Sequence, residues 1–236
     1  MKINKTEILC TIGPASLNEQ VISRLEALGV GIFRINLSHT KAEELEAIIK
    51  QIQSITDVPI CLDTEGAQIR TGDFAEDRIE LLENSVVRGH SQKTGGSQKG
   101  FNFYPRGIVE KFQVGDFISI DFNSVLVQVT ERDQDGVIMR VINGGVIGQN
   151  KAVTVDREIE LDALTENDLK SLEIGCDMGL EHFALSFASR REDVEFIRGL
   201  TSESAFIISK IESLAGLSNL EAISQVSDAL LIDRGD

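Results

Sequence analysis

The chain has 236 residues, enough for one α/β domain or for one domain carrying a smaller insert. Its 38 acidic residues against 23 lysines and arginines leave a net charge of −15, which argues against nucleic-acid or anionic-membrane partners but leaves room for a phosphate substrate in a locally basic cleft. No apolar run of about 18 residues could span a bilayer, nothing reads as a signal peptide, and Cys10, Cys61 and Cys176 lack metal or disulfide spacing, so a cytoplasmic location is expected.

The first 63 residues alternate short apolar runs with segments of helical period. Glu7–Ile12 predicts a strand ended by Gly13-Pro14. Ser16-Leu17-Asn18-Glu19 has the form of a capping box opening a helix through Leu28. Gly31–Leu37 predicts the second strand, Thr40-Lys41-Ala42-Glu43 a second capping box with a helix to about Thr56, and Val58–Asp63 the third strand. Strands alternating with helices of this length imply parallel pairing through βαβ crossovers.

From about Gly72 to Glu160 no long helical period appears. Ile79–Leu82, Phe117–Asp121, Val125–Thr130 and Val137–Ile142 predict strands, with Gly95-Gly96, Asp135-Gly136 and Gly144-Gly145 as turns. An all-β insert over residues 73–160, between barrel parts 1–72 and 161–236, is the expected organisation. Alternation then resumes. Thr165–Met178 predicts a helix, His182–Phe187 a strand, Arg191–Leu200 a helix capped by Ser189 with Glu192, Ala205–Lys210 a strand, Asn219–Gln225 a short helix and Asp228–Asp233 a strand. Six parallel strands fall short of the eight of a closed (β/α)8 barrel, so the expected fold class is α/β, a partial TIM barrel with an inserted all-β domain.

Polar residues collect at the C-terminal ends of these strands, where such folds carry function. Arg34, Asn36 and Ser38 alternate with Ile35 and Leu37, a spacing that turns all three to one face of a strand. Asp63-Thr64, Ser186 and Asp236 end three further strands, and Lys210 and Glu212, two residues apart, project together. One ammonium and two carboxylates can hold a divalent metal beside a transferring phosphoryl group.

These residues resemble a known family. Thr11-Ile12-Gly13-Pro14, Arg34-Ile35-Asn36-Leu37-Ser38-His39, Leu62-Asp63-Thr64, Ile69-Arg70-Thr71-Gly72, Ser209-Lys210-Ile211-Glu212 and Arg234-Gly235-Asp236 are similar, in order and spacing, to motifs of pyruvate kinase. The resemblance runs from about Lys5 to Asp236 and includes the position of the family's inserted B (lid) domain. It implies transfer of a phosphoryl group from phosphoenolpyruvate to ADP, giving pyruvate and ATP in glycolysis, and a homotetrameric parent protein. Lys210 and Arg34 match the catalytic phosphoryl contacts, Glu212 and Asp236 the ligands of Mg2+ or Mn2+, and Gly235 a substrate contact. Asn36, Ser38, Asp63 and Thr64 match the ligands of a monovalent cation, usually K+, while Arg70, His39 and Lys151 match nucleotide contacts.

The sequence departs from the family at several places. Glu65 and Gln68 replace a lysine and a carboxylate after Asp63-Thr64, and Gln68 leaves K+ dependence open. Phe122 stands in place of an acid of the insert, Thr154-Val155-Asp156-Arg157 in place of Asn-Leu-Pro-Gly, Ser189 in place of an arginine and Asp233 in place of a small residue. The family's last two barrel strands, with a threonine implicated in proton delivery, have no counterpart, so the chain reads as a piece of a longer protein that is inactive by itself. Two other classes stay open: a divergent relative that binds nucleotide or phosphoenolpyruvate without turnover, and a metal-dependent lyase of the same barrel group, against which Lys210 and the insert count.

Overall fold

The structure, a computed structural model, describes residues 6–121, 124–157 and 159–232. Gly235 and Asp236, and the departures at Phe122 and Asp233, lie outside the described residues.

Unit one, residues up to Ala67 with those from Asp162 onward, begins with β1 (Ile8–Ile12), α1 (Glu19–Ala27), β2 (Val30–Asn36), α2 (Ala42–Gln53) and β3 (Ile60–Asp63). Unit two, Gln68–Leu161, follows with β4 (Ile69–Thr71), β5 (Arg78–Leu81), β6 (Val86–His90), β7 (Gly100–Tyr104), β8 (Phe117–Ile120), β9 (Val125–Asp133), β10 (Gly136–Asn143), β11 (Gly145–Gly148) and β12 (Ala152–Val155). The chain then returns to unit one with α3 (Glu166–Asp177), β13 (His182–Leu185), α4 (Arg191–Leu200), β14 (Phe206–Ile211), α5 (Leu214–Ser218), α6 (Leu220–Ser224) and β15 (Ala229–Ile232).

Unit one is built on one six-stranded sheet in the order β1-β2-β3-β13-β14-β15, parallel at every step. Its two faces differ because alternate residues of each strand point oppositely. Phe33, Ile35, Leu62, Phe183, Leu185 and Ile207 pack against Ile22 of α1, Leu45 and Ile49 of α2, Leu172 of α3 and Ile197 of α4. The opposite face carries a smaller apolar layer of Ile32, Cys61, Ala184 and Ile208, flanked by Leu9, Ala229 and Leu231, with no helix residue in it. Two residues further along the same strands, on this second face, stand Arg34, Asp63, Ser186 and Lys210. The polar set is therefore the last layer of one sheet face, above an apolar floor.

Unit two is a closed seven-stranded barrel, β10-β6-β7-β4-β12-β8-β9, with the separate pair β11-β5. Its own core includes Phe101, Phe103 and Phe112, whose rings pack at 5.1 and 5.2 Å. The strands expected here correspond to β5, β8, β9 and β10, while β4, β6, β7, β11 and β12 were missed. Glycines hide the period-two pattern. At Gly89 in β6 an added Cβ would lie 2.8 Å from Val137 Cγ2, so the position is small because the facing strand comes close.

Three helix caps differ from expectation. Asn18, not Ser16, caps α1 by accepting from Val21 N at 3.0 Å, while Ser16 Oγ bonds back to Gly13. α2 has Lys41 at its cap with no side-chain bond from it; the α2 N–H of Ala42 is satisfied by Asn167 Oδ1 at 3.1 Å, from α3. At α4 it is Asp193 that accepts from the N–H groups of Ser189 and Arg190, at 3.2 and 2.9 Å. At α1 and α2 a better-placed acceptor satisfies an orphan donor of the first turn, and at α4 Asp193 reaches back to the N–H groups before the helix. The expected short helix Asn219–Gln225 is α6, and α5 just before it was not anticipated. Among the described residues, no helix is long and apolar enough to cross a membrane.

Candidate functional site

Strand β2 ends at Asn36, and Leu37–His39 forms a 3-10 turn. Ser38 is therefore not on the strand face shared by Arg34 and Asn36, which corrects the alternation expected from sequence. Asn36 Oδ1 accepts from Ser38 N at 2.9 Å and shapes that turn. Asn36 itself lies in register with Asp63 on β3.

Asp63 is the hub. Its Oδ2 accepts from Arg34 Nε at 2.7 Å and is ion-paired with Arg34 Nη2. Its Oδ1 accepts from Ser186 Oγ at 3.3 Å and lies 3.5 Å from Lys210 Nζ. Lys210 Nζ donates to Ser186 Oγ at 3.1 Å and to Glu212 Oε1 at 2.9 Å. Glu212 Oε2 accepts from Phe187 N at 2.9 Å. Ser186 is thus both acceptor and donor, relaying between the ammonium and the carboxylate. The Lys210 and Asp63 side chains are 5% and 1% exposed. Arg34 also donates to Thr11 Oγ1 of β1 at 3.3 Å.

Two cations and two carboxylates balance in this cluster, as burial requires. Burial disfavours the Lys210 ammonium, but the Asp63 and Glu212 carboxylates outweigh it and hold the group above the ordinary lysine value. Burial pushes the Glu212 carboxyl up, against the pull of Lys210 and the Phe187 N–H. Beneath the cluster, burial pushes the Cys61 thiol up to about 12, so it is a packing residue rather than a nucleophile. The ammonium stands at the C-terminal edge of a parallel sheet, where such folds bind their ligands, and an incoming anion could share it with Asp63 and Glu212.

The loop after β3 is fixed with equal care. Thr64 N donates to Ala184 O at 3.0 Å, and Thr64 Oγ1 accepts from Ser186 N at 3.0 Å. Gly66 has φ +70°, and an added Cβ would sit 2.5 Å from Ser186 O. The fully buried Asp168 of α3 accepts from Glu65 N and Gly66 N at 2.7 and 3.1 Å. Sequence reasoning placed Ser186 at a strand end without a role and missed Gly66, Asn167 and Asp168. A helix from Thr165 was expected, but the long-range bonds of Asp168 were not.

The structure thus brings Arg34, Asp63, Ser186, Lys210 and Glu212 together, with Asn36 and Thr64 on the same strand ends. In unit two, Arg70 and Lys151 approach each other across β4 and β12. Arg70 Nη1 donates to Asn150 O at 3.3 Å, and Lys151 Nζ lies 3.6 Å from Asp121 Oδ1. Their relation to the Lys210 cluster is a matter of two separate units. His39 closes the 3-10 turn after β2. Among the described residues no group of three His, Cys, Asp or Glu side chains is arranged to hold a metal ion.

The family model described as pyruvate kinase, barrel domain, matches residues 3–236. The pyruvate kinase of Bacillus licheniformis is 34% identical over 99% of this chain and 42% of its own length. That of Clostridium acetobutylicum is 34% identical over 99% of the chain and 52% of its own length, and that of Dictyostelium discoideum 32% over 98% and 48%. The chain spans about half the length of these curated relatives. With a family match over nearly all its residues, the chain belongs to the pyruvate kinase family.

Proposed function

We propose that this chain supplies the phosphoryl-transfer half of a pyruvate kinase, moving a phosphoryl group from phosphoenolpyruvate to ADP. The six-stranded sheet would be part of a (β/α)8 barrel, and unit two the family's B domain. The observation that carries the reading is Lys210: a buried ammonium kept charged by Asp63 and Glu212 at the C-terminal edge of a parallel sheet. Phosphoryl transfer depends on positioning and charge neutralisation rather than on covalent chemistry by the protein, and a compact ammonium suits that task.

In this reading Lys210 contacts the transferring group, Arg34 binds phosphate, and Arg70, His39 and Lys151 contact the nucleotide. Gly235 would contact the substrate. Glu212 and Asp236 would hold Mg2+ or Mn2+; a carboxylate pair in an open site suits Mg2+, which retains waters and substrate oxygens. The divalent ion would supply charge stabilisation to the phosphoryl oxygens. Asn36, Ser38, Asp63 and Thr64 would hold K+, and all offer the oxygen donors a hard cation needs. Gln68, in place of a carboxylate, motivates a measurement of K+ dependence. A homotetramer in the cytoplasm is proposed by family likeness alone.

The test uses the full product of the reading frame in a lactate-dehydrogenase-coupled assay. Lys210→Met should lower kcat by at least about a thousandfold, while Mn2+ binding followed by electron paramagnetic resonance changes little. Near-native turnover in Lys210→Met would remove Lys210 from the chemistry. A wild-type protein that binds phosphoenolpyruvate calorimetrically yet releases no pyruvate would favour the non-catalytic relative.

A further inference from the structure

The chain leaves unit one after Ala67 and re-enters it at Asp162. Both passages end on one side chain. Asp168 Oδ1 accepts from Glu65 N at 2.7 Å, on the outgoing strand end, and Oδ2 accepts from Gly66 N at 3.1 Å and from Thr165 N at 2.9 Å, on the returning one. The neighbouring Asn167 works in parallel. Its Nδ2 donates to Leu37 O at 3.2 Å, Thr40 O at 3.4 Å and Glu65 Oε1 at 3.0 Å, and its Oδ1 accepts from Ala42 N at 3.1 Å. Two adjacent side chains of α3 therefore tie together the loop after β2, the loop after β3 and the start of α3 itself.

A helix cap needs only the bond from Asp168 to Thr165 N and its reciprocal from Asp168 N to Thr165 Oγ1 at 3.0 Å. The further bonds reach more than a hundred residues away in sequence and do nothing for the helix. They also bury an acid completely, with no cation bonded to it among the described residues. Burial pushes its carboxyl above the ordinary value, and backbone N–H groups only partly offset this. An arrangement with that cost stabilises something other than a cap, and what it fixes is the Glu65–Gly66 turn.

That turn bears directly on the cluster. Gly66 is pressed against Ser186, whose carbonyl would be 2.5 Å from an added Cβ. Thr64, two residues earlier, accepts from Ser186 N. Ser186 Oγ in turn accepts from Lys210 and donates to Asp63. We propose that Asp168, supported by Asn167, is a positioning residue for phosphoryl transfer: it locks the Thr64–Gly66 turn against Ser186 and thereby fixes where the Lys210 ammonium stands. The inference rests on the reading of Lys210 given above, and adds to it the residues that hold the lysine's partners in place.

The experiment compares Asp168→Asn with wild type in the full product of the reading frame. An amide at this position turns an NH2 group toward backbone N–H donors, so at least one of the three bonds is lost. Hydrogen exchange at Glu65 and Gly66 should rise at least about tenfold. The value of kcat should fall at least about tenfold while the KM for ADP stays within about twofold, since a displaced reacting group costs rate rather than nucleotide affinity. Leu172→Ala, which removes a buried side chain from the same helix, controls for stability and should leave kcat within about threefold. If Asp168→Asn does not fold, Asn167→Ala retains the carboxylate and should give the same pattern, with kcat lowered at least about fivefold and further than in Leu172→Ala.

The proposal is overturned if kcat falls no further than in Leu172→Ala, or if exchange at Glu65 and Gly66 is unchanged. A wild-type protein that transfers no phosphoryl group would defeat the functional reading by itself, and the exchange result alone would then decide whether the clamp exists.

Discussion

At the scale of single residues, the site depends on places where the backbone admits only one side chain. Gly66 and Gly179 both have positive φ, +70° and +74°, but only Gly66 has a neighbour in the way: nothing lies within 4 Å of a Cβ at Gly179. Alanine at either position costs about 1 kcal/mol for the left-handed backbone. At Gly66 the clash is with the backbone of Ser186, which cannot rotate aside, so Gly66→Ala should cost at least about 1 kcal/mol more than Gly179→Ala in urea unfolding. Equal losses would show that the Ser186 segment is free to yield and that the close approach is not a constraint. The same comparison applies to the cluster, because Ser186 carries the hydroxyl between Lys210 and Asp63.

At the scale of elements, the ends of β8 and β12 in unit two are joined by an ion pair that makes acid sensitivity predictable. Arg157 Nε and Nη2 donate to Asp116 Oδ1 and Oδ2 at 2.8 and 3.0 Å, and Gln113 N donates to Oδ2 at 2.8 Å. Burial opposes ionisation, but the Arg157 fork and the Gln113 N–H outweigh it, so the Asp116 carboxyl lies below its ordinary value of 3.8. A carboxyl lowered in the folded state stabilises fully above its unfolded value, and that contribution disappears as pH falls through the folded value. Stability should therefore decline from about pH 5 downward, and Asp116→Asn should flatten that decline while lowering stability at pH 7. Denaturant titrations of both proteins between pH 7 and the acid limit measure this, and parallel slopes would remove Asp116 from the acid response.

Element by element, legibility followed sequence locality. Phe33, Ile35, Leu62 and Phe183 announce buried parallel strands because both faces of such strands are apolar until the C-terminal end. There Arg34, Asp63 and Lys210 interrupt the pattern, which made the site readable too. Caps were less readable, since Asn18 competes with Ser16 in the same loop and α2 takes its acceptor from Asn167, over a hundred residues away. Strands β6 and β7 were unreadable because Gly89 and Gly100 replace side chains that neighbouring groups leave no room for. Long-range hydrogen bonds of the kind made by Asp168 leave no local signature, as their partners are backbone N–H groups that any residue possesses.

At the scale of the whole molecule, the two units differ in how completely they satisfy themselves. The barrel of Gln68–Leu161 closes on itself, so among the described residues none of its seven strands offers a free edge, and its core runs from Ile69 to Val153. In unit one, β1 and β15 each pair with a single neighbour among the described residues, and Leu9, Ala229 and Leu231 on the helix-free face are only partly buried. An unpaired edge beside half-covered apolar residues is a route to association, whereas a closed barrel with an aromatic core has the features of an independent folding unit. The 68–161 segment produced alone should therefore be monomeric and unfold in one cooperative urea transition, with a slope of about 1 kcal/mol/M for a domain of this size. Its far-ultraviolet dichroism should be that of a β protein. The complementary chain, residues 1–67 joined to 162–236 by a short glycine linker, should associate at micromolar concentration. A 68–161 segment without a cooperative transition would mean that the barrel depends on the rest of the chain, and that the single-residue and pH effects predicted for each unit could not be treated as independent.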